Sequence, residues 1–361
     1  MPTTLEPILT TPAVGPAPIA LDHRRRTADR IFRGALAFNA ALTVFWLVVI
    51  ATGRSPVFFQ SYTLDRTALL RVAAGVLIFY VLWGFIWYGV KTALLTYFVG
   101  LGKEERRRAF SSRMNEPFEV SEFLARYSER RIRIADMIGR RGRFITLALA
   151  SFFYFYGRVS SEPTPAFATL FLADNLFDAV ATSWIFLGFY YVNGRLAAAF
   201  YGPQSRIMDG VLARANCLLI TTLWTVFKFV MVPIGARLAA IYQPAQFAVV
   251  FAMIWGSYII TDALAEIGGS LFGRQQIRVR GIGDVNRKSI AGTVTGFAGC
   301  LLFCVAIVLS NGLPPAWIGL AAAISVSNTA LELYSPRGTD DFTMATGNAL
   351  ICWAFGAFVI G

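Results

Sequence analysis

The chain alternates long apolar runs with short polar intervals. Apolar runs lie at 34–52, 69–90, 144–157, 169–192, 212–233, 245–261, 290–310, 315–333 and 344–361. A helix needs about 20 mostly apolar residues to cross a hydrocarbon layer, and most of these runs approach that length; 144–157 is short. The pattern predicts an all-α polytopic transmembrane helix bundle of about nine spans. The polar intervals are rich in Arg and Lys. Arg24, Arg25, Arg26, Arg30 and Arg33 precede the first run, and 91–143 carries Lys91, Lys103, Arg106 to Arg108, Arg126, Arg130, Arg131, Arg133, Arg140, Arg141 and Arg143. Basic loops stay on the cytoplasmic side, so the N-terminus and 91–143 are expected there. Continued alternation puts 193–211, 262–289 and 334–343 on the same side.

The same pattern divides the chain. Residues 1–33 are expected to be a disordered basic tail, and 34–143 a two-span region ending in a basic cytoplasmic segment. Residues 144–361 are expected to be a seven-span membrane domain. Within 116–138, Val120, Phe123, Leu124, Tyr127, Ile134 and Ile138 recur at helical spacing opposite charged residues. This predicts a helix lying on the inner membrane surface, with a helix packed on the cytoplasmic loops as the alternative.

Composition narrows the class. The chain is 56% hydrophobic and 15% charged, with mean hydropathy +0.57, which excludes an ordinary soluble domain. The net charge of +12 sits in loops between apolar runs, so it reads as a topology signal rather than a nucleic-acid surface. The only His, His23, lies in the tail, which excludes His-based catalysis and His-rich metal sites. Cys217, Cys300, Cys304 and Cys352 all lie in apolar runs and read as small buried thiols.

Candidate chemistry concentrates in the last third. Asp262 and Glu266 share a helix face at the end of a span. Gly268, Gly269, Gly273 and Arg274 follow, then Lys288, Ser289 and Gly292 at the start of the next span. Farther on come Asn328, Glu332 and the stretch Ser335 to Asp341, with Arg337, Asp340 and Asp341. Acidic groups at membrane depth are costly and mark functional sites. Carboxylates with Lys, Arg and glycines suit a metal-bound nucleotide, since Mg²⁺ takes one or two carboxylates plus phosphate oxygens and cations neutralise a transferring phosphoryl group. The alternatives are plain. Asp262 and Glu266 pair with Lys288 or Arg274; the glycines pack helices; Arg337, Asp340 and Asp341 form a solvated turn.

The order of these blocks resembles the polyprenol kinase family, which includes dolichol kinase, phytol kinase and the CTP-dependent diacylglycerol kinase. Thr261-Asp262-Ala263-Leu264-Ala265-Glu266-Ile267-Gly268-Gly269, Phe272-Gly273 and Lys288-Ser289-Ile290-Ala291-Gly292-Thr293 resemble that family's signature. So do Glu332-Leu333-Tyr334-Ser335-Pro336-Arg337-Gly338 and Asp340-Asp341-Phe342-Thr343. The resemblance covers about residues 255–348. It implies phosphoryl transfer from CTP, or another nucleoside triphosphate, with Mg²⁺, to the hydroxyl of a membrane lipid: polyprenol, phytol or diacylglycerol. It implies metal binding or hydroxyl activation by Asp262, Glu266, Asp340 and Asp341, with Asp262, Glu266, Lys288 and Asp340 as the catalytic set. Nucleotide contacts fall to Arg274, Lys288, Ser289 and Arg337, with close approach at Gly268, Gly269, Gly273 and Gly292. The expected setting is a multi-pass bacterial cell-membrane protein with its site on the cytoplasmic face and no nucleic-acid partner.

Two other readings stand beside it. A cytidylyltransferase making a CDP-activated lipid would use the same ingredients, but the Lys-Asp and His-Gly-Gly pattern of such enzymes is absent. A non-catalytic transporter or scaffold would be favoured by polar groups within spans, such as Asn175, Asp178 and Lys228.

Overall fold

The computed structural model describes residues 18–52, 66–106, 120–161, 202–203, 205–280, 285–336 and 338–360, with Ala173 and Phe177. The described chain is almost wholly helical, as expected of a polytopic bundle. Helix α1 spans Pro18–Thr52 and α2 spans Arg66–Ala93, continued by a π-turn over Leu94–Val99. Short α3 (Val120–Leu124) precedes α4 (Glu129–Ser161). A 3₁₀ turn at Ile207–Leu212 leads into α5 (Ala213–Ile241), followed by α6 (Pro244–Phe272). Strands β1 (Gln276–Arg280) and β2 (Val285–Ser289) pair antiparallel, and α7 (Ile290–Ser310), α8 (Ala316–Tyr334) and α9 (Asp340–Phe355) complete the bundle.

Among the described residues, seven helices are long and apolar enough to cross a membrane: α1, α2, α5, α6, α7, α8 and α9. Each matches one of the expected runs. The run at 169–192 lies outside the described residues apart from Ala173 and Phe177. The run at 144–157 is the C-terminal half of α4, whose N-terminal half carries Arg130, Arg131, Arg133, Arg140, Arg141 and Arg143. Residues 18–33, expected to be disordered, form the start of α1.

Three differences from the sequence pattern have physical reasons. The amphipathic stretch 116–138 is not one surface helix. It breaks between α3 and α4, and Phe123, Ile132 and Ala135 are buried against Leu95, Val99, Leu101 and Ile207. Val120, Leu124 and Tyr127 pack against the same cluster, while Ile138 stays exposed, so much of the apolar face is covered by neighbouring segments. The interval 262–289, read as a basic loop, contains the β1–β2 hairpin, where Ile277 and Val279 alternate with Arg278 and Arg280 at the strand period of two. Lastly, Arg140, Arg141 and Arg143, counted as loop charges, lie inside a helix, with Arg141 and Arg143 buried.

Helix α6 is the centre of the bundle. Ala248, Val250, Ala252 and Met253 are fully enclosed, and it packs on α4, α7, α8 and α9. From Phe247 to Ile254 every residue is apolar and buried, as expected of a helix segment with no solvent or lipid face. The outer helices keep one face outward: Leu77, Ile78, Leu82 and Phe85 on α2, and Val294, Leu302 and Leu309 on α7, are exposed where lipid tails would lie.

The α6–α7 contact depends on small residues. A Cβ on Gly292 would stand 2.4 Å from the Ala265 carbonyl oxygen, and one on Gly296 would stand 2.9 Å from the Thr261 carbonyl oxygen. The backbones therefore approach as small residues allow in membrane helices. Below this contact the core carries a polar seam. Asn328 of α8 donates to Ser257 Oγ of α6 at 3.1 Å, and Asn348 of α9 donates to the same oxygen at 2.9 Å. All three residues are fully buried, so the seam fixes the register of α6, α8 and α9 where shape alone would allow sliding. All four cysteines are buried and free, as expected.

Gly292→Ala is expected to push α6 and α7 apart and to destabilise the protein by about 1–3 kcal/mol, the usual cost of overpacking. Gly75→Ala, with no atom within 4 Å of the added Cβ, should be neutral. Thermal unfolding of both variants in detergent checks the contrast.

Candidate functional site

Charged side chains collect where α6 and α8 end and α7 and α9 begin. Asp262 and Glu266 lie one turn apart on α6, Glu332 is near the end of α8, and Asp340 opens α9. The antiparallel run of these helices brings both kinds of terminus to one end of the bundle. Asp262 and Glu332 are buried, at 7% and 8% exposure. Carboxylates so placed must find cations or a metal, because an unpaired buried charge is prohibitive.

The basic partners come from three segments. Helix α4 supplies Arg140 and Arg141. Arg141 reaches both oxygens of Asp262, with Nη2 donating to Oδ1 at 2.7 Å and Nη1 to Oδ2, and its Nε donates to Glu266 Oε2. Arg140 Nη1 donates to Glu266 Oε1 at 2.9 Å, and Arg206 Nη2 lies 3.0 Å from the same oxygen. The third source is β2. Lys288 lies 2.8 Å from Glu332 Oε1 and 3.5 Å from Asp340 Oδ2, and it also donates to the Glu332 carbonyl. Burial alone would lower the Lys288 pKa; Glu332 and Asp340 outweigh it and hold the ammonium above its usual value. Its charge is present in full at neutral pH and is lost only as the pH rises through that raised value.

Local structure explains each position. Lys288 pairs in register with Ile277 across the hairpin and precedes Ser289, whose Oγ accepts from the Gly292 amide at 3.0 Å and caps α7. Arg206 is fixed by a second, buried ion pair. Lys91 of α2 lies 3.0 Å from Asp136 of α4, and the two are 1% and 4% exposed. Lys91 also donates to the Gly202 carbonyl at 3.0 Å and to the Ser205 carbonyl, and Asp136 Oδ2 accepts from the Ile207 amide at 2.8 Å. This clasp holds both sides of Arg206.

One group is suited to a cation. Asp262, Glu332 and Asp340 each offer a carboxylate oxygen, all within 4.8 Å of one another. The Oε2 atom of Glu332 is buried without a hydrogen-bond partner. Hard oxygen donors with an unsatisfied lone pair fit Mg²⁺ or a similar divalent ion.

Of the expected residues, Asp262, Glu266, Lys288 and Asp340 come together. The alternative pairing of Asp262 and Glu266 with Lys288 or Arg274 is not what forms: Arg141, Arg140 and Arg206 take that role. Arg274 is exposed and joins none of these ion pairs. Asp341 lies beside the cation group but outside it; its Oδ1 is buried without a hydrogen bond. Glu266 faces the arginines rather than that group. Arg337 lies outside the described residues. The four glycines approach protein. A Cβ would meet Thr295 Oγ1 at 2.0 Å from Gly268, Ser289 Oγ at 2.8 Å from Gly269, the Gly269 carbonyl at 2.3 Å from Gly273, and the Ala265 carbonyl at 2.4 Å from Gly292. At Gly268, Gly269 and Gly292 the close approach is between α6 and the start of α7, and at Gly273 it is to the carbonyl of its own helix end and to Ser289.

The sequence pattern gave no site role to Arg140, Arg141 and Arg206, and it placed Glu332 with the candidate chemistry without assigning it one. The signal for the first two was present: they sit immediately before an apolar run, where a helix continued backwards would carry them along the bundle. Glu332 lies one turn after Asn328, which places it on the same buried face.

No family model and no solved structure matches the chain. A curated phytol kinase from Synechocystis sp. (strain ATCC 27184 / PCC 6803 / Kazusa) is 32% identical to it over 106 residues, which is 29% of this chain and 42% of that protein. The chain therefore spans less than half of that relative's length, and the likeness is distant and partial.

Breaking the clasp that holds Arg206 should cost stability. Asp136→Asn leaves Lys91 buried without its counter-charge and is expected to destabilise the protein by about 3–5 kcal/mol, with a lower melting temperature in detergent as the readout.

Proposed function

We propose that the protein is a membrane lipid kinase, transferring the terminal phosphoryl group of CTP or another nucleoside triphosphate to the hydroxyl of an isoprenoid alcohol or diacylglycerol. The observation that carries this reading is the cation-suited group Asp262, Glu332 and Asp340 with Lys288 beside it, at the end of a lipid-facing bundle. The partial likeness to a phytol kinase supports it. A charged nucleotide arrives from water and a lipid alcohol from the bilayer, and a site at helix ends is open to both. The positive-inside pattern makes that face cytoplasmic, where nucleotides are found.

In this reading Asp262, Glu332 and Asp340 hold Mg²⁺, which supplies charge neutralisation on the phosphate oxygens when bound. Lys288 keeps its ammonium at neutral pH and contributes a further positive charge to the transferring group. The lipid oxygen forms a bond to the terminal phosphorus as the bridging bond to the leaving phosphate breaks. That electron pair departs on the nucleoside diphosphate, and the hydroxyl proton passes to a carboxylate of the cluster. Catalysis rests on positioning and electrostatics more than on a strong base.

The experiment supplies purified protein in detergent with Mg²⁺, γ-labelled CTP or ATP, and a panel of polyprenol, phytol and diacylglycerol. Label is expected in the lipid phase for one donor and one acceptor. Asp262→Asn and Asp340→Asn should each reduce turnover at least about 10²-fold, as loss of a metal-holding or charge-stabilising group does, while the protein stays folded. Pyrophosphate release with label absent from the lipid would replace the kinase with a cytidylyltransferase, and no reaction with any pair would leave a transporter or scaffold.

A further inference from the structure

Glu266 serves three guanidinium groups, those of Arg140, Arg141 and Arg206. One carboxylate cannot satisfy them, since each guanidinium offers five donors. The Nε of Arg206 is buried with no hydrogen-bond partner. The planar fork that Arg141 closes on Asp262 fits a phosphate as well as a carboxylate. The arginines therefore form a cationic half of the site with more donors than its resident acids can use.

Asp262 is claimed from both sides. Arg141 binds both its oxygens, and the same residue belongs to the cation-suited group with Glu332 and Asp340. A divalent ion drawn to that group must share Asp262 with a buried guanidinium, and the two positive charges repel. An incoming polyphosphate must likewise compete with Asp262 and Glu266 for the arginines. Each obstacle is removed by the other ligand.

We infer that Arg140, Arg141 and Arg206 are the polyphosphate-binding side of the site. Asp262 and Glu266 occupy them while the nucleotide is absent, and phosphate and metal bind by exchanging partners. Phosphate oxygens take the guanidiniums, which releases Asp262 to complete the metal site. The linkage is reciprocal: each ligand raises the affinity for the other by the same factor. The inference rests on the kinase reading in naming the polyphosphate as that of a nucleotide; the exchange itself follows from the shared carboxylate.

The test uses the full chain in detergent, with two probes applied separately: labelled tripolyphosphate in the presence of EDTA, and Mn²⁺ followed by electron paramagnetic resonance. Arg141→Gln and Arg206→Gln should each weaken tripolyphosphate by about tenfold, the scale of one lost charge-assisted hydrogen bond. Arg141→Gln should at the same time tighten Mn²⁺, because Asp262 is freed. Asp262→Asn should do the reverse, weakening Mn²⁺ and tightening tripolyphosphate. Opposite shifts of this kind support the exchange. Unchanged tripolyphosphate binding in the arginine variants, or loss of both ligands in Asp262→Asn, overturns it. Arg206 is partly exposed, so Arg206→Gln carries the test if Arg141→Gln does not fold. Opposite shifts in a protein that phosphorylates no lipid would retain the exchange and remove the kinase; lipid phosphorylation without these shifts would do the converse.

Discussion

A carboxylate inside an apolar bundle must be matched by a cation that the fold delivers to it, and the rest of this structure is arranged around that requirement. Asp262 and Glu266 lie toward the end of α6, the most enclosed helix of the bundle, with side chains only 11% and 13% exposed. Their counter-charges come from α4, a helix whose first half is studded with arginine and whose second half is apolar. Because a buried pair recovers its desolvation cost only with good geometry and further hydrogen bonds, α4 must dock on α6 in one register. The fork of Arg141 across Asp262 and Glu266 enforces that register: a shift of one turn along either helix would strand two acids and a guanidinium.

The remaining contacts hold that docking in place. Close packing of α6 on α7, permitted by Gly292 and Gly296, brings the start of α7 level with Glu266. Ser289 caps that start, and the hairpin before it turns Lys288 toward Glu332 and Asp340. Deeper in the bundle, the amides of Asn328 and Asn348 meet at Ser257, so α8 and α9 cannot slide and their acids stay level with Asp262. The Lys91–Asp136 clasp does the same for Arg206 from the opposite side. Helix ends also help: Asp340 lies in the first turn of α9, where backbone amides and the helix dipole favour a negative charge.

The bundle was legible because its signal is long-range and redundant: each span needs many apolar residues, and a few polar ones do not hide it. Four of the acidic and basic site residues were legible for a related reason, since charges next to apolar runs stand out. The cationic partners were not. Arg140 and Arg141 follow a long series of other basic residues in the sequence, and the rule that basic loops face the cytoplasm accounts for all of them equally well. Only the continuation of α4 through them, with Arg141 and Arg143 buried, separates site residues from topology signals. The glycines are a different case. Gly268, Gly269, Gly273 and Gly292 fit two explanations, approach of a ligand or of a helix; their spacing alone favours the helix, and only the resemblance points to a ligand. A neighbouring protein atom already fills the space of each missing Cβ, which accounts for glycine at these positions by packing.

Taken together, the charges do not simply neutralise one another. They separate into an acidic half, with Asp262, Glu332 and Asp340 around Lys288, and a basic half, with three arginines around Glu266. A purely structural network would gain most from interleaving its signs, since adjacent like charges cost energy in a medium of low dielectric constant. Segregation retains that cost: an acidic oxygen of Glu332 stays unpaired on one side and a guanidinium nitrogen of Arg206 on the other. Unspent donors beside unspent acceptors make a site suited to a ligand that is itself polarised, a polyanion carrying a metal cation. Asp262, the one residue common to both halves, is where the arrival of such a ligand must be felt first.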